Sequence, residues 1–443
     1  MNIAILGLGF SGMFMALSLI EKYIQKNSNQ KINENLNLYL FEKNNTNNKD
    51  LITQDIRTTA LNYQSKIFLE SINIWQDIEN KLTPIKDIYI ADDKSDDMIH
   101  FSSQYLDDKY QNFNMGYIIN NNIFKEILLG KIKEYSKLYS NIKIFDNTIY
   151  TDIDNAKAYN IITYRKNSSK KNGENNNSTT EEQTVKADLT IISDGRNSSS
   201  SLAKKKFFSN LIDKDYKQTA LTFLISHEKK HENTALEHFT KLGPFASLPT
   251  ENQNISSIVM SVDSNIAASL MKMLEGGEEM EEEFLSHVKN YLSDFLGNIS
   301  LASKVTSYKL TSSVARSYYN KSLCLIGDSA HSIHPLAGQG FNLTIKDINI
   351  LSDEIINIPI YNHTKDNIKY GKYYSSVIDS FNQYQNKREW NNINMQKITD
   401  NINSIFLSQN ILVRLIRKFG FKFIEKNNFI KRKLIKYAMG INN

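Results

Sequence analysis

The chain has 443 residues, of which 40% are apolar and 23% charged, with one cysteine and a formal net charge of +5. This is the composition of a folded protein of two or three packed units, not of a disordered or collagenous one. The single cysteine excludes a disulfide framework and any cysteine-based zinc or iron–sulfur site, and so mild a charge gives no argument for nucleic acid.

Residues 3–20 carry no charge, a stretch long enough to be scanned as a membrane span or a signal segment. No basic residue precedes them, and three glycines with Ser11 interrupt their centre. Strand, tight turn and helix is the better reading. Residues 2–6 form a short apolar run of the kind a parallel sheet buries on both faces. Gly7-Leu8-Gly9-Phe10-Ser11-Gly12 is a GxGxxG, residues 13–23 read as helix, and residues 36–41 alternate as a strand that ends on Glu42. These are the parts of a dinucleotide fingerprint in order. The glycines allow the turn and the approach of a pyrophosphate, the helix N-terminus offers free N–H groups, and Glu42 can accept ribose hydroxyls. Glu42 stands further from Gly12 than the usual spacing of about 20 residues, and polar residues 27–35 read as an inserted loop.

Arg57 follows Asp55 in a segment that precedes a helical stretch at 65–75; an isolated pair of this kind is ordinarily a surface ion pair. Residues 116–121 lead into a helix at 123–138, and residues 142–165 alternate as strands. Residues 165–184 are almost free of apolar side chains and read as a solvated insertion. Residues 185–193 are apolar and end in Asp194-Gly195, a turn signal. Strands are expected at 218–226 and 256–263, and Phe284, Val288, Leu292 and Phe295 share one helix face.

Residues 322–326 form a buried-type strand that ends in Gly327-Asp328, followed by a loop with His331, His334 and Pro335 and then Gly338-Gln339-Gly340-Phe341-Asn342 before a helix from Leu343. Asp328 at a strand end can accept hydrogen bonds from a polyol, and the glycines let the backbone approach a flat ligand just before a helix N-terminus. A flavin, whose ribityl chain needs acceptors, fits that description. Acid–base roles for the two histidines compete with loop stabilisation, and neither is assigned as catalytic. The remaining histidines have no HExxH-type spacing, so no metal site is expected.

These three motifs, taken in order, resemble the FAD-dependent aromatic hydroxylases of the para-hydroxybenzoate hydroxylase type. The segment Asp55-Ile56-Arg57-Thr58-Thr59-Ala60-Leu61, residues 116–121, the run from His231 to Pro249 and the pair Arg388 and Asn392 are similar to the ubiquinone-biosynthesis subfamily, the 2-polyprenyl-6-methoxyphenol hydroxylases. The resemblance implies an α/β fold: a Rossmann-like, three-layer ββα FAD-binding domain with an inserted mixed β-sheet substrate domain and a C-terminal helical segment. It places the FAD-binding domain at 1–80, 112–208 and 311–358, the substrate domain at 81–111 and 209–310, and a basic helical region at 359–443. It implies FAD held by Gly7, Gly9, Phe10, Ser11, Gly12, Glu42, Arg57, Asn121, Asp194, Gly195, Gly327, Asp328, Pro335, Gly338, Gln339, Gly340, Phe341 and Asn342. Asn121 stands where many wider-family members carry an arginine near the FAD phosphates.

The implied reaction is hydroxylation of a polyprenylated phenol by O2 through a flavin C4a-hydroperoxide, with NAD(P)H or another donor supplying electrons. Two other readings remain: a prenyl-chain reductase on the same scaffold, and a non-catalytic flavin-bound subunit of a biosynthetic complex. From Ile411 onward nine basic residues accompany one acid and a series of apolar side chains. That segment reads either as helices packed on the body with their cations outward, or as a contact for an anionic membrane surface or a biosynthetic complex. The expected location is cytoplasmic, including the inner membrane face.

Overall fold

A computed structural model describes residues 1–27, 36–46, 55–93, 97–155, 159–167, 181–195, 202–208, 211–359, 367–408 and 410–441. Residues 28–35 and 168–180, within the two expected insertions, lie outside the described residues.

The first strand, Asn2–Leu6, is the middle of a six-stranded sheet. It pairs in parallel with Asn37–Phe41 on one side and Leu189–Ile192 on the other. Ile142–Phe145 and Leu323–Leu325 extend the sheet, also in parallel. Helix Phe10–Lys26 packs behind it and begins three residues before the expected start. Residues 12–21 of this helix are all buried. The uncharged run is therefore a buried strand, a tight turn and the start of a central core helix, and no helix among the described residues is long and apolar enough to cross a membrane. A three-stranded antiparallel sheet, Thr148–Asp154, Asn160–Lys166 and Gln183–Ala187, makes the second β layer.

The apolar run at 185–193 divides between these two sheets. Its break falls at Asp188, whose carboxylate accepts the N–H of Asn2 at 2.7 Å and so turns the chain from one layer into the other.

The second large sheet has nine strands. Its spine is Leu211–His227, longer than the expected strand and bulged between Asp215 and Gln218, where Lys217 adopts φ 55°. Asp87–Asp92 and Met98–Ser102 join the far side of this sheet through the parallel pairing of Asp87–Asp92 with Thr234–Thr240. Helices Ser264–Met273 and Glu278–Leu296 cover one face, and Phe284, Val288 and Leu292 pack in its core as their spacing implied. A small sheet of Thr58–Asn62, Gly116–Asn120 and Thr83–Ile85 lies between the two large ones.

Helix Asn367–Leu407 is 41 residues long, about 60 Å at 1.5 Å per residue. Near its middle the Tyr384 hydroxyl donates to the carbonyl of Leu325 at 3.3 Å, in the six-stranded sheet. Further along, Asp400 accepts from Lys214 at 2.8 Å, in the nine-stranded sheet. One helix thus spans both layers. Helices Ile411–Lys426 and Asn428–Ala438 complete the chain.

Candidate functional site

A cavity of about 770 Å³ opens between the C-terminal ends of the parallel strands and the small sheet. That volume falls within the range of roughly 300–1,000 Å³ typical of ligand pockets. Gly7, Gly9, Phe10, Ser11, Glu42, Arg57, Asn121, Asp194, Gly195, Asp328, Pro335, Gly338, Gly340 and Phe341 all line it, gathered from segments hundreds of residues apart.

At one end, Glu42 leaves its strand with its carboxylate held by two backbone N–H groups, from Leu8 at 3.0 Å and Asn44 at 2.9 Å. At the other, Asp328 and the Gly338–Phe341 turn form the wall. Two helices start at this cavity, Phe10–Lys26 and Gln339–Ile356, and neither has a side-chain cap. Among the other described helices, Glu278–Leu296 also lacks a side-chain cap, Ser264–Met273 is capped by Asp263, and others are capped by asparagine. Asn62 accepts from Ser65 N–H, Asn120 from Asn122 and Ile123 N–H, and Asn410 from Leu412 N–H. Two uncapped N-termini facing one cavity leave free N–H groups and two positive dipole ends for an anionic ligand.

Glycine is required at two of these turns. A Cβ on Gly12 would run into the carbonyl oxygen of Gly7, so the helix could not lie this close to the strand. Gly338 is left-handed, with φ 60°, and its Cβ would meet that of Ala60 at 3.1 Å. These features fit a dinucleotide with a polyol and a flat ring. The fingerprint residues would hold the adenosine and pyrophosphate, and the 328–341 segment the ribityl chain and flavin.

Arg57 is not a bare surface pair. Its guanidinium donates to both oxygens of Asp55 at 2.6 and 2.7 Å, and its Cζ lies 4.6 Å from the centre of the Tyr308 ring in the nine-stranded sheet. Lys125 approaches the same carboxylate at 3.2 Å. Burial opposes ionisation of Asp55, but Arg57 and Lys125 outweigh it and hold the carboxyl at about 2. Asn121 accepts from the Thr59 hydroxyl at 2.6 Å and so braces the wall strand. The Thr58 hydroxyl reaches Ser257 at 3.4 Å, a second link from the wall to the large sheet.

Gly12, Gly327, Gln339 and Asn342 do not line the cavity. Asn342 lies behind it, accepting from Asn62 N–H at 3.0 Å and Ser65 Oγ at 2.7 Å and donating to Ala60 and Gly338 carbonyls, each at 3.1 Å. It ties the wall strand to the glycine turn. Gly327 is wedged against Ser11 and Thr344, with φ 56°.

His331 and His334 are both buried. His331 bonds to Asp347, which also accepts from Arg388 at 2.7 Å and Asn392 at 3.2 Å. Burial alone would raise the Asp347 carboxyl, but His331 and Arg388 hold it well below the ordinary range. This is loop stabilisation: a buried ionic cluster fastens the 327–338 loop to the long C-terminal helix. His334 meets Gln218 at 3.3 Å, away from the cavity lining. Among the described residues no group of histidine, cysteine or acid side chains could hold a metal ion.

Other lining residues were not assigned a role by the sequence, although Thr58 and Ala60 fall within the 55–61 segment that resembles the family. Tyr150 bonds its hydroxyl to Asp194 from the second β layer, and Thr58, Ala60 and Ile333 are wall residues of ordinary type. Lys204 is buried nearby; desolvation lowers its pKa to about 8 against the opposing field of Asp213, Asp328 and Asp194.

Known proteins are similar to this chain in sequence and in fold. An FAD binding domain family matches residues 151–359. Ubiquinone hydroxylase UbiL of Rhodospirillum rubrum is 25% identical over 386 residues, covering 87% of this chain and 80% of that protein. The mitochondrial ubiquinone biosynthesis monooxygenase COQ6 of Dictyostelium discoideum is 25% identical over 479 aligned positions, 99% of this chain and 91% of that one. In fold, the p-nitrophenol 4-monooxygenase PnpA of Pseudomonas putida superposes with a TM-score of 0.69 at 13% identity, covering 100% of this chain and 98% of that one.

Proposed function

The chain is a relative of the FAD-dependent aromatic hydroxylases of ubiquinone biosynthesis, and from that premise we propose that it inserts one oxygen atom from O2 into the ring of a polyprenylated phenol. The observation that carries the reading is the single cavity wall on which the GxGxxG turn, Glu42, Asp194 and the Asp328–Phe341 segment meet.

FAD supplies the redox chemistry: once reduced, it activates O2 for transfer to an electron-rich ring. The protein's share is binding, orientation and exclusion of water. The two open helix N-termini would stabilise phosphates and the negative charge of a reduced ring. Glu42 would exchange the N–H of Leu8 or Asn44 for ribose hydroxyls, and Asp328 would accept from the ribityl chain. Arg57 is fixed by Asp55 and lies against Tyr308, so a cation stays at the seam between cofactor wall and large sheet. The phenol ring would enter from that seam, where Arg57 lies against Tyr308 and Thr58 reaches Ser257. NAD(P)H or another donor supplies the electrons.

The test is oxygen uptake by the purified, FAD-loaded protein with reduced nicotinamide and a short-chain prenylphenol. The expected result is a product one hydroxyl richer that carries label from isotopic O2. Reduction of a prenyl double bond without O2, or flavin reoxidation with no change in the phenol, would overturn the proposal.

A further inference from the structure

The last two helices present their faces in an unusual order. On Ile411–Lys426, the inward residues are Arg417 and Phe421. Arg417 pairs with Asp92 at 3.2 Å, and Phe421 packs edge-on to Phe406 of the long helix. The outward side carries the larger apolar groups. Leu412, Ile416, Phe419 and Phe423 are 68, 69, 71 and 59% exposed. Their spacing of four, three and four residues places them in one stripe along the helix. Phe429 continues the exposed apolar surface onto the next helix.

Cations flank this stripe. Lys418, Lys426 and Lys433 are exposed and have no carboxylate partner among the described residues. Lys422, Arg432 and Lys436 lean back on acids of the body at 3.7, 3.8 and 3.0 Å. An exposed apolar stripe bordered by lysines is the pattern of a helix that lies in the headgroup region of a bilayer.

We propose that the outer face of Ile411–Lys426, extended by Phe429, docks on an anionic membrane surface. The apolar stripe would enter the acyl boundary, and the flanking lysines would meet lipid phosphates. A second copy of the chain is a poorer occupant, because a twofold contact through this face would bring its own lysines together. A spanning mode is ruled out for these helices by their length of 16 and 11 residues. Phe421 and Ile435 belong to the same apolar cluster as Ala60, which is a wall residue of the cofactor cavity.

The experiment is flotation of the full-length, FAD-loaded protein with vesicles of phosphatidylcholine containing about one-third phosphatidylglycerol, and with pure phosphatidylcholine. The wild type is expected to float with the anionic vesicles and to be released by salt. The pair Ile416→Ser and Phe419→Ser is expected to weaken binding at least about tenfold with unchanged flavin content and melting temperature. A second pair, Lys418→Ala and Lys426→Ala, removes only charge and is expected to reduce anionic binding. Absence of flotation by the wild type, or undiminished binding by either folded pair, would overturn the proposal. Concentration-dependent dimerisation that both pairs abolish, with no vesicle binding, would overturn it in favour of a self-contact.

Discussion

The backbone N–H of Gln64 donates to the carbonyl of Met439 at 3.2 Å, so the end of the last helix is bonded to the first turn of helix Tyr63–Ser71, which directly follows the wall strand Thr58–Asn62. The chain reaches this point because Gly440, at φ 77°, lies against Asn62 and Gln64. A Cβ there would meet Asn62 Nδ2 at 2.8 Å and Gln64 Cβ at 2.9 Å. The C-terminus therefore supports the cavity wall from behind.

Gly440→Val should detach that support. Strain at a left-handed position costs about 1–3 kcal/mol, so unfolding by denaturant should begin earlier. Flavin affinity should fall as well, although residue 440 does not line the cavity. An unchanged flavin dissociation constant would show that the C-terminal contact does not reach the site.

Asn342→Ala removes four hydrogen bonds at a buried position. With a net cost near 1 kcal/mol per bond, and more for groups left unpaired, the variant should lose about 2–4 kcal/mol. The glycine turn at 338 would lose its tie to Ala60. Equilibrium unfolding together with flavin titration checks both effects, and Asn342→Asp should restore only the accepting half of the network.

Asp55 is the group whose titration is expected on the acid side. Its folded value of about 2 lies below the unfolded one, so its contribution is present above roughly pH 4 and disappears as pH falls toward 2. Asp55→Asn should lower stability at pH 7 by about 1–2 kcal/mol and flatten the acid limb of the stability curve. Arg57 would lose its anchor in the same variant, and flavin binding should weaken in parallel.

Glu237 titrates in the opposite sense. It shares a strand face with Ala235 and Phe239, the latter stacked on Phe406 of the long helix, and burial lifts its carboxyl to about 8. A raised acid favours the folded state while protonated. That contribution is complete below the unfolded value of about 4.3 and is lost as pH climbs toward 8. Glu237→Gln should remove this decline, so the melting temperatures of variant and wild type should converge at low pH and separate by pH 8. A constant difference across the range would show that Glu237 does not hold its proton.

Arg388→Met cuts the buried cluster around Asp347 and leaves its charge with one partner fewer. Breaking a buried pair from one side costs about 3–5 kcal/mol. The loop at 327–338 should loosen with it, visible as faster hydrogen exchange at Ser329 and Ala330.

The turn that lines one end of the cavity is legible in sequence because its requirements are local. A strand, GxGxxG and a helix start stand in consecutive order, and Gly12 cannot carry a Cβ so close to Gly7. Asp328, Gly338 and Gly340 were legible for the same reason. Asn342 was assigned to the same group, yet its partners Asn62, Ser65 and Ala60 lie some 280 residues away, and only the folded chain shows that it faces them. Tyr150 and Lys204 carried no signal at all, because nothing in their neighbourhood distinguishes them from ordinary strand and helix residues. The break at Asp188 was hidden within an apolar run, since the cause is a bond to Asn2 rather than a turn residue. The outward apolar stripe of Ile411–Lys426 could be counted in sequence, but which side faced the body could not.

The long helix Asn367–Leu407 carries a further implication. It is bonded to Leu325 through Tyr384 and to Lys214 through Asp400, and so behaves as a calliper set at one gap between the two large sheets. Widening that gap by hinge motion would have to break one of these bonds or bend the shaft. Traffic into the cofactor cavity is then better served by side doors, through rearrangement of loops at its rim, than by the opening of a clamshell.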